Sequence, residues 1–89
     1  MNIDYTIQVW REDQQFVAHA MPLDVMSSGP TPAGARAALY EAVDLFLATA
    51  AAMDSLDEIL EESGYAFKQG EWFSPVWVAM ERHSTPIAA

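Results

Sequence analysis

The chain is 89 residues long, 52% apolar and without cysteine, and thirteen acidic side chains outnumber four cationic ones to give a formal net charge of −9. The absence of cysteine excludes disulfides, thiolate metal sites and a thiol nucleophile. Four scattered cations, Arg11, Arg36, Lys68 and Arg82, cannot line a groove for a phosphate backbone, so direct nucleic-acid binding is not expected.

Residues 3–10 alternate, with Ile3, Tyr5, Ile7 and Val9 on one side and Asp4, Thr6 and Gln8 on the other, which predicts a half-buried strand. The start carries Asp4 where a signal peptide would carry basic and then apolar residues. "REDQ" (11–14) is turn-like, and "QFVAHAM" (15–21) resumes with aromatic and β-branched residues, so the two runs form a hairpin. Pro22 stops the pairing because it has no N–H. "LDVMSS" predicts a third, edge strand.

A rigid corner follows in "SSGPTPAGARAALYEA" (27–42). Gly29 permits a positive φ or a close backbone approach. Thr31 is placed to cap a helix with its hydroxyl, and Pro32 falls at the first helical position, where a missing N–H costs nothing. Pro22, Gly29, Thr31 and Pro32 are thus assigned structural roles.

From Pro32 to about Met53, Ala35, Ala38, Leu39, Ala42, Val43, Phe46, Leu47 and Ala50 recur at helical spacing, and Arg36, Glu41 and Asp44 lie off that stripe. Asp44 also interrupts "AVDLFLATAAAM", which is too short to span a bilayer; a cytoplasmic, membrane-free location is expected. "DSLDEILEESG" (54–64) predicts a short second helix with a Ser55–Glu58 capping box and Gly64 just past its end. "YAFKQGEW" is expected to be a loop turning at Gly70, and "SPVWVAMER" a closing strand with Val76, Val78 and Met80 on one face and Trp77 and Ala79 on the other. The expectation is one domain over residues 1–89, of α+β class and order β-β-β-α-(α)-β, with helices on one face of a four-stranded sheet.

No constellation for catalysis emerges. His19 and His83 lack a metal-ligand spacing, Ser27 and Ser28 lack the flanks of a nucleophile elbow, and the glycines of 29–34 match no phosphate-cradling loop. A ribonuclease H-like nuclease would hold two magnesium ions between carboxylates, for which Asp4, Glu41 and Glu81 are the nearest candidates. Asp4 lies at the start of its strand, however, and a basic substrate surface is missing. No catalytic, cofactor-binding or metal-binding residue is therefore assigned, and no enzyme activity or cofactor is expected. Trp10, Trp72, Phe73 and Trp77 suit either core packing or an interface. With the long helix on one face of the sheet, Trp10, His19, Met21 and Trp77 fall on the other; an uncovered apolar face invites a homo-oligomer, a dimer or tetramer.

The ordered combination of hairpin, Pro22 loop, Gly29-x-Thr31 corner and helix with Ala35, Glu41, Ala42, Leu45 and Leu47 resembles the N-terminal domain of HicB-family antitoxins. "SLDEILEESGY" and "EWFSPVWVAMERHSTPIA" are similar to members with a second helix and closing strand. The resemblance implies a partial ribonuclease H-like fold without the active site. It also implies a partner, a small basic HicA-type ribonuclease toxin neutralised by masking. Gly34 and Arg36 stand where the family often has acids, the 22–29 loop is short, and residues 1–89 show no helix-turn-helix or ribbon-helix-helix pattern for operator DNA, so autoregulation of transcription is not expected. Opposite potentials would speed such an encounter, and Asp57, Glu58, Glu61 and Glu62 of the second helix are assigned to the partner. The alternative is a stand-alone HicB-like interaction domain that forms a homo-oligomer without a toxin.

Overall fold

The computed structural model describes residues 2–88. Strands β1 (Thr6–Glu12), β2 (Gln15–Met21) and β3 (Val25–Gly29) form an antiparallel sheet in the order β1-β2-β3. Helices α1 (Pro32–Ala52) and α2 (Leu56–Glu62) follow, and a separate hairpin, β4 (Ala66–Lys68) with β5 (Glu71–Phe73), comes last. The fold is α+β, as expected, in the order β-β-β-α-α-β-β. No helix among the described residues is long and apolar enough to cross a membrane.

Register explains the bounds of β1. Glu12 pairs with Gln15, leaving a two-residue turn whose first residue, Asp13, has φ 54°. Thr6 pairs with Met21, and the next position would oppose Pro22, which has no N–H to offer. Ile3 and Tyr5 therefore precede the strand, yet they still pack on the core.

The inner sheet face carries Ile7, Val9, Ala18 and Ala20, and both alanines are fully buried against α1. Small side chains there let the helix sit close, and Ala35, Leu39, Val43 and Ala50 supply its buried stripe at helical spacing. Entry into α1 follows the expected corner. Thr31 accepts a hydrogen bond on Oγ1 from the Gly34 N–H at 2.9 Å, with Pro32 in the first turn. At Gly29 the requirement is proximity: a Cβ there would lie 2.8 Å from Ala35 N and 2.9 Å from Gly34 C.

Both helices end in a left-handed residue. Gly64 has φ 100°, and Gly64 and Tyr65 donate to Glu61 and Leu60 carbonyls. Asp54 does the same after α1 at φ 55°, with Asp54 and Ser55 donating to Ala51 and Ala50 carbonyls. The predicted capping box is not formed. Ser55 turns its hydroxyl back to donate to the Ala50 carbonyl at 3.2 Å and caps α2 with no side-chain bond.

The C-terminal part departs most from expectation. "YAFKQGEW" is not a loop but the body of the β4–β5 hairpin, closed by Gln69 (φ 52°) and Gly70 (φ 80°). Positive φ at both central residues matches the right-handed twist of a tight hairpin. The predicted closing strand over 74–82 is not formed, and the main sheet has three strands instead of four. Trp72 is drawn into the core, the chain then leaves along Pro75 beside Gly64, and no strand edge meets the backbone of Val76–Met80. Alternation gives that segment the character of a strand, but strand structure also needs a neighbour for its N–H and C=O groups.

Candidate interaction surfaces

Two surfaces flank the core, and the helix layer, which also exposes Tyr40, Leu45 and Met53, carries more than half of the acids. The helix layer presents Glu41, Asp44, Asp54, Asp57, Glu58, Glu61 and Glu62, all exposed, against Arg36 alone. The four carboxylates assigned to a partner, Asp57, Glu58, Glu61 and Glu62, are there because Leu60, fully buried, and Ile59 turn the other side of α2 inward. Asp57 and Glu58 favour the N-terminal end of the helix dipole, whereas Glu61 and Glu62 in the last turn oppose it, with no basic residue nearby in that turn. Among the described residues, none of these acids is in a salt bridge; the ion-pair geometry found is His19 Nε2 to Asp24 Oδ1 at 2.7 Å.

The outer sheet face gathers the other predicted group. Alternation from the buried alanines puts Thr6, Gln8, Trp10, Val17, His19 and Met21 on this side. Trp10 and His19 meet edge to face with ring centroids 6.3 Å apart. Met21 pairs with Thr6, and Thr6 accepts a hydrogen bond on Oγ1 from the Trp77 indole at 2.6 Å. Trp10, His19, Met21 and Trp77 thus share one face, on which Trp10 and Trp77 remain 37% and 46% exposed. His19 is held by Asp24, whose φ of 61° turns its carboxylate back from the Pro22 turn. The aromatic group assigned to either core or interface divides: Trp72 is in the core, while Trp10, Phe73 and Trp77 are exposed.

Asp4, Glu41 and Glu81 do not come together. Among the described residues, no three His, Cys, Asp or Glu side chains are grouped so as to hold a metal ion. Asp4 precedes β1, Glu41 is on the exposed side of α1 and Glu81 is in the unpaired C-terminal segment.

An open cleft of about 290 Å³ lies between Asn2, Ile3, Tyr5, α1 (Val43, Asp44, Leu47), α2 (Leu56, Leu60) and Trp72. Its walls are mainly apolar. Burial, then the nearby Asp44 carboxylate and Tyr40, raise the Tyr5 phenol above its usual range. Tyr65 is more strongly affected: burial first, then Asp4 and Tyr5, push it up to about 12. Its hydroxyl donates to the Asp4 carbonyl at 2.5 Å, tying the chain after α2 to the approach to β1. Sequence reasoning missed Tyr65, although its place just past Gly64 is where an apolar contact commonly closes a helix end. It also missed the Phe67–Trp72 pair, with centroids 5.0 Å apart across the second hairpin, for which Gln69-Gly70 between two aromatics was the available signal.

Comparison of the chain with protein-family models, with curated proteins and with solved structures finds no match.

Proposed function

We propose that this chain is a HicB-like binding protein that neutralises a small basic ribonuclease toxin of HicA type by covering it. The observation that carries the reading is the helix layer, whose unpaired carboxylates face solvent with one cation among them. Such a surface draws a basic protein at a distance and orients it on arrival, while it repels nucleic acid. The order β1-β2-β3-α1 supports a partial ribonuclease H-like architecture, the fold the resemblance implies. Asp57, Glu58, Glu61 and Glu62 are the proposed contacts for the toxin.

The test begins with a search for a small basic protein encoded beside this chain, whose absence would count against the proposal; co-purification with it and an RNA-cleavage assay follow. Cleavage by the partner should stop at one equivalent of this chain and recover when Asp57, Glu58, Glu61 and Glu62 are changed together to Asn or Gln. Undiminished cleavage with a saturating excess of the unmodified chain would dismiss the proposal.

A second reading rests on the outer sheet face. The shared placement of Trp10, His19, Met21 and Trp77 favours a homo-oligomer formed through the sheet, which can stand with or without a toxin. Its mass in solution, against 9.8 kDa for one chain, checks it.

A further inference from the structure

We propose that residues 76–82 form an exchange arm, which adds itself as a strand to the free edge of β1 in a second copy of this chain. The inference rests on the homo-oligomer reading above and is independent of the toxin.

The arm has the chemistry of a strand without a partner. Val76, Trp77 and Val78 are β-formers, and Val76 and Val78 are 89% and 97% exposed. Among the described residues, no backbone hydrogen bond of the turns and loops involves residues 74–88, and no strand includes them. The molecule as a whole is extended, as an unpacked arm would make it. The radius of gyration is 15.4 Å, with extents of 47 × 29 × 22 Å, against about 12 Å for a compact chain of this length.

A receiving edge lies at the root of the arm. β1 is one of the two edge strands, paired with β2 on one side only, so alternate residues along its length of seven offer unpaired backbone groups on the other. Trp77 is anchored to Thr6, the first residue of that strand. Five further residues reach about 16 Å, most of the length of β1, so two copies with their β1 edges facing across a twofold axis bring each arm to the other's strand. Strand addition of this kind uses main-chain bonds for affinity and alternate side chains for fit. Val78 and Met80 would lose their exposure in the process.

Charge selects a second copy as the occupant. At a net charge of −9, two copies repel each other through their helix layers. Along β1 and the arm, however, Arg11 and Arg82 balance Glu12 and Glu81. The seam is therefore where another copy can approach, and the carboxylates of α1 and α2 stay free.

The absence of cysteine makes the test direct. Val78→Cys and Ala79→Cys chains, which present opposite faces of the arm, are each mixed with a differently tagged Gln8→Cys chain and oxidised, while sedimentation compares the unmodified chain with Val78→Pro. The proposal expects a disulfide between the two tagged chains for one arm position. It also expects about tenfold to hundredfold weaker self-association for Val78→Pro, with unchanged thermal unfolding of the monomer. A second chain carries Gln8→Cys together with the arm cysteine; a disulfide formed only within that single chain and never between the tagged chains, showing the arm folded on its own β1, would overturn it. So would self-association indifferent to Val78→Pro, which would leave the homo-oligomer reading intact. A monomeric unmodified chain at high concentration would remove both.

Discussion

Three residues show how local geometry decides stability here. Asp54 occupies the left-handed position after α1 with φ 55°, where glycine carries no Cβ penalty. Asp54→Gly is expected to stabilise the fold by about 0.5–1 kcal/mol in urea denaturation, with the m-value unchanged. Gly29 is the reverse case. Gly29→Ala drives a methyl group into the backbone of the first turn of α1, and a loss of about 1–3 kcal/mol is expected in the same assay. Tyr65, together with Tyr5, contributes to the alkaline limb. Its phenol has a higher pKa in the folded chain, about 12, than the ordinary 10.0 of an exposed tyrosine. Below 10 both states hold the proton, and the stabilisation is complete. Across the interval up to about 12 the unfolded chain releases the proton first, so stability falls as pH rises. Tyr65→Phe removes that fall, and the difference between the two proteins over the interval isolates it from other titrations.

Helix α2 sets fold stability against surface chemistry. Its seven residues end in Glu61 and Glu62, which lie against the negative end of the helix dipole. Glu61→Lys is expected to raise stability by about 0.3–1 kcal/mol at low salt, an effect that shrinks as salt is added. The same change should weaken association with a basic partner. If binding is unaffected while stability rises, α2 is a solvated face and not the proposed partner contact. The β4–β5 hairpin follows a different logic. It is only three residues long on each side, and what holds it is Trp72, buried against the core, more than its own ladder.

The acids of the molecule concentrate on the helix layer, where Tyr40, Leu45 and Met53 are exposed beside them. The exposed side chains of Trp10, Met26, Trp77, Val78 and Met80 belong to the other sheet face or the C-terminal segment. Association with a basic protein and association with a second copy therefore respond oppositely to salt. Raising ionic strength about tenfold shortens the screening length roughly threefold, and should slow association with the proposed basic partner by an order of magnitude or more. Self-association through the sheet should hold or strengthen, because salt relieves the repulsion between equally acidic chains. Stopped-flow association rates and sedimentation, measured in the same buffers, separate the two.

Much of this was legible along the chain. The hairpin, the Thr31-Pro32 helix start, the buried stripe of α1 and the glycine stop of α2 each follow from interactions between residues a few positions apart, and such interactions leave their mark in local spacing. The placing of Trp10, His19 and Met21 on one face followed from strand alternation in the same way. What spacing could not convey was which backbones would meet. Ser55 had a capping box within reach and bonded Ala50 instead; Val76–Met80 had the alternation of a strand and found no edge. Trp72 and Trp77, five residues apart and chemically identical, went to the core and to the surface. Sequence by itself determined the helices, the first hairpin and the acidic balance, since propensity, capping and charge reside in the residues. Only the tertiary structure decided the size of the sheet and the freedom of its β1 edge, because strand pairing joins groups that are distant in the chain and depends on what packs first.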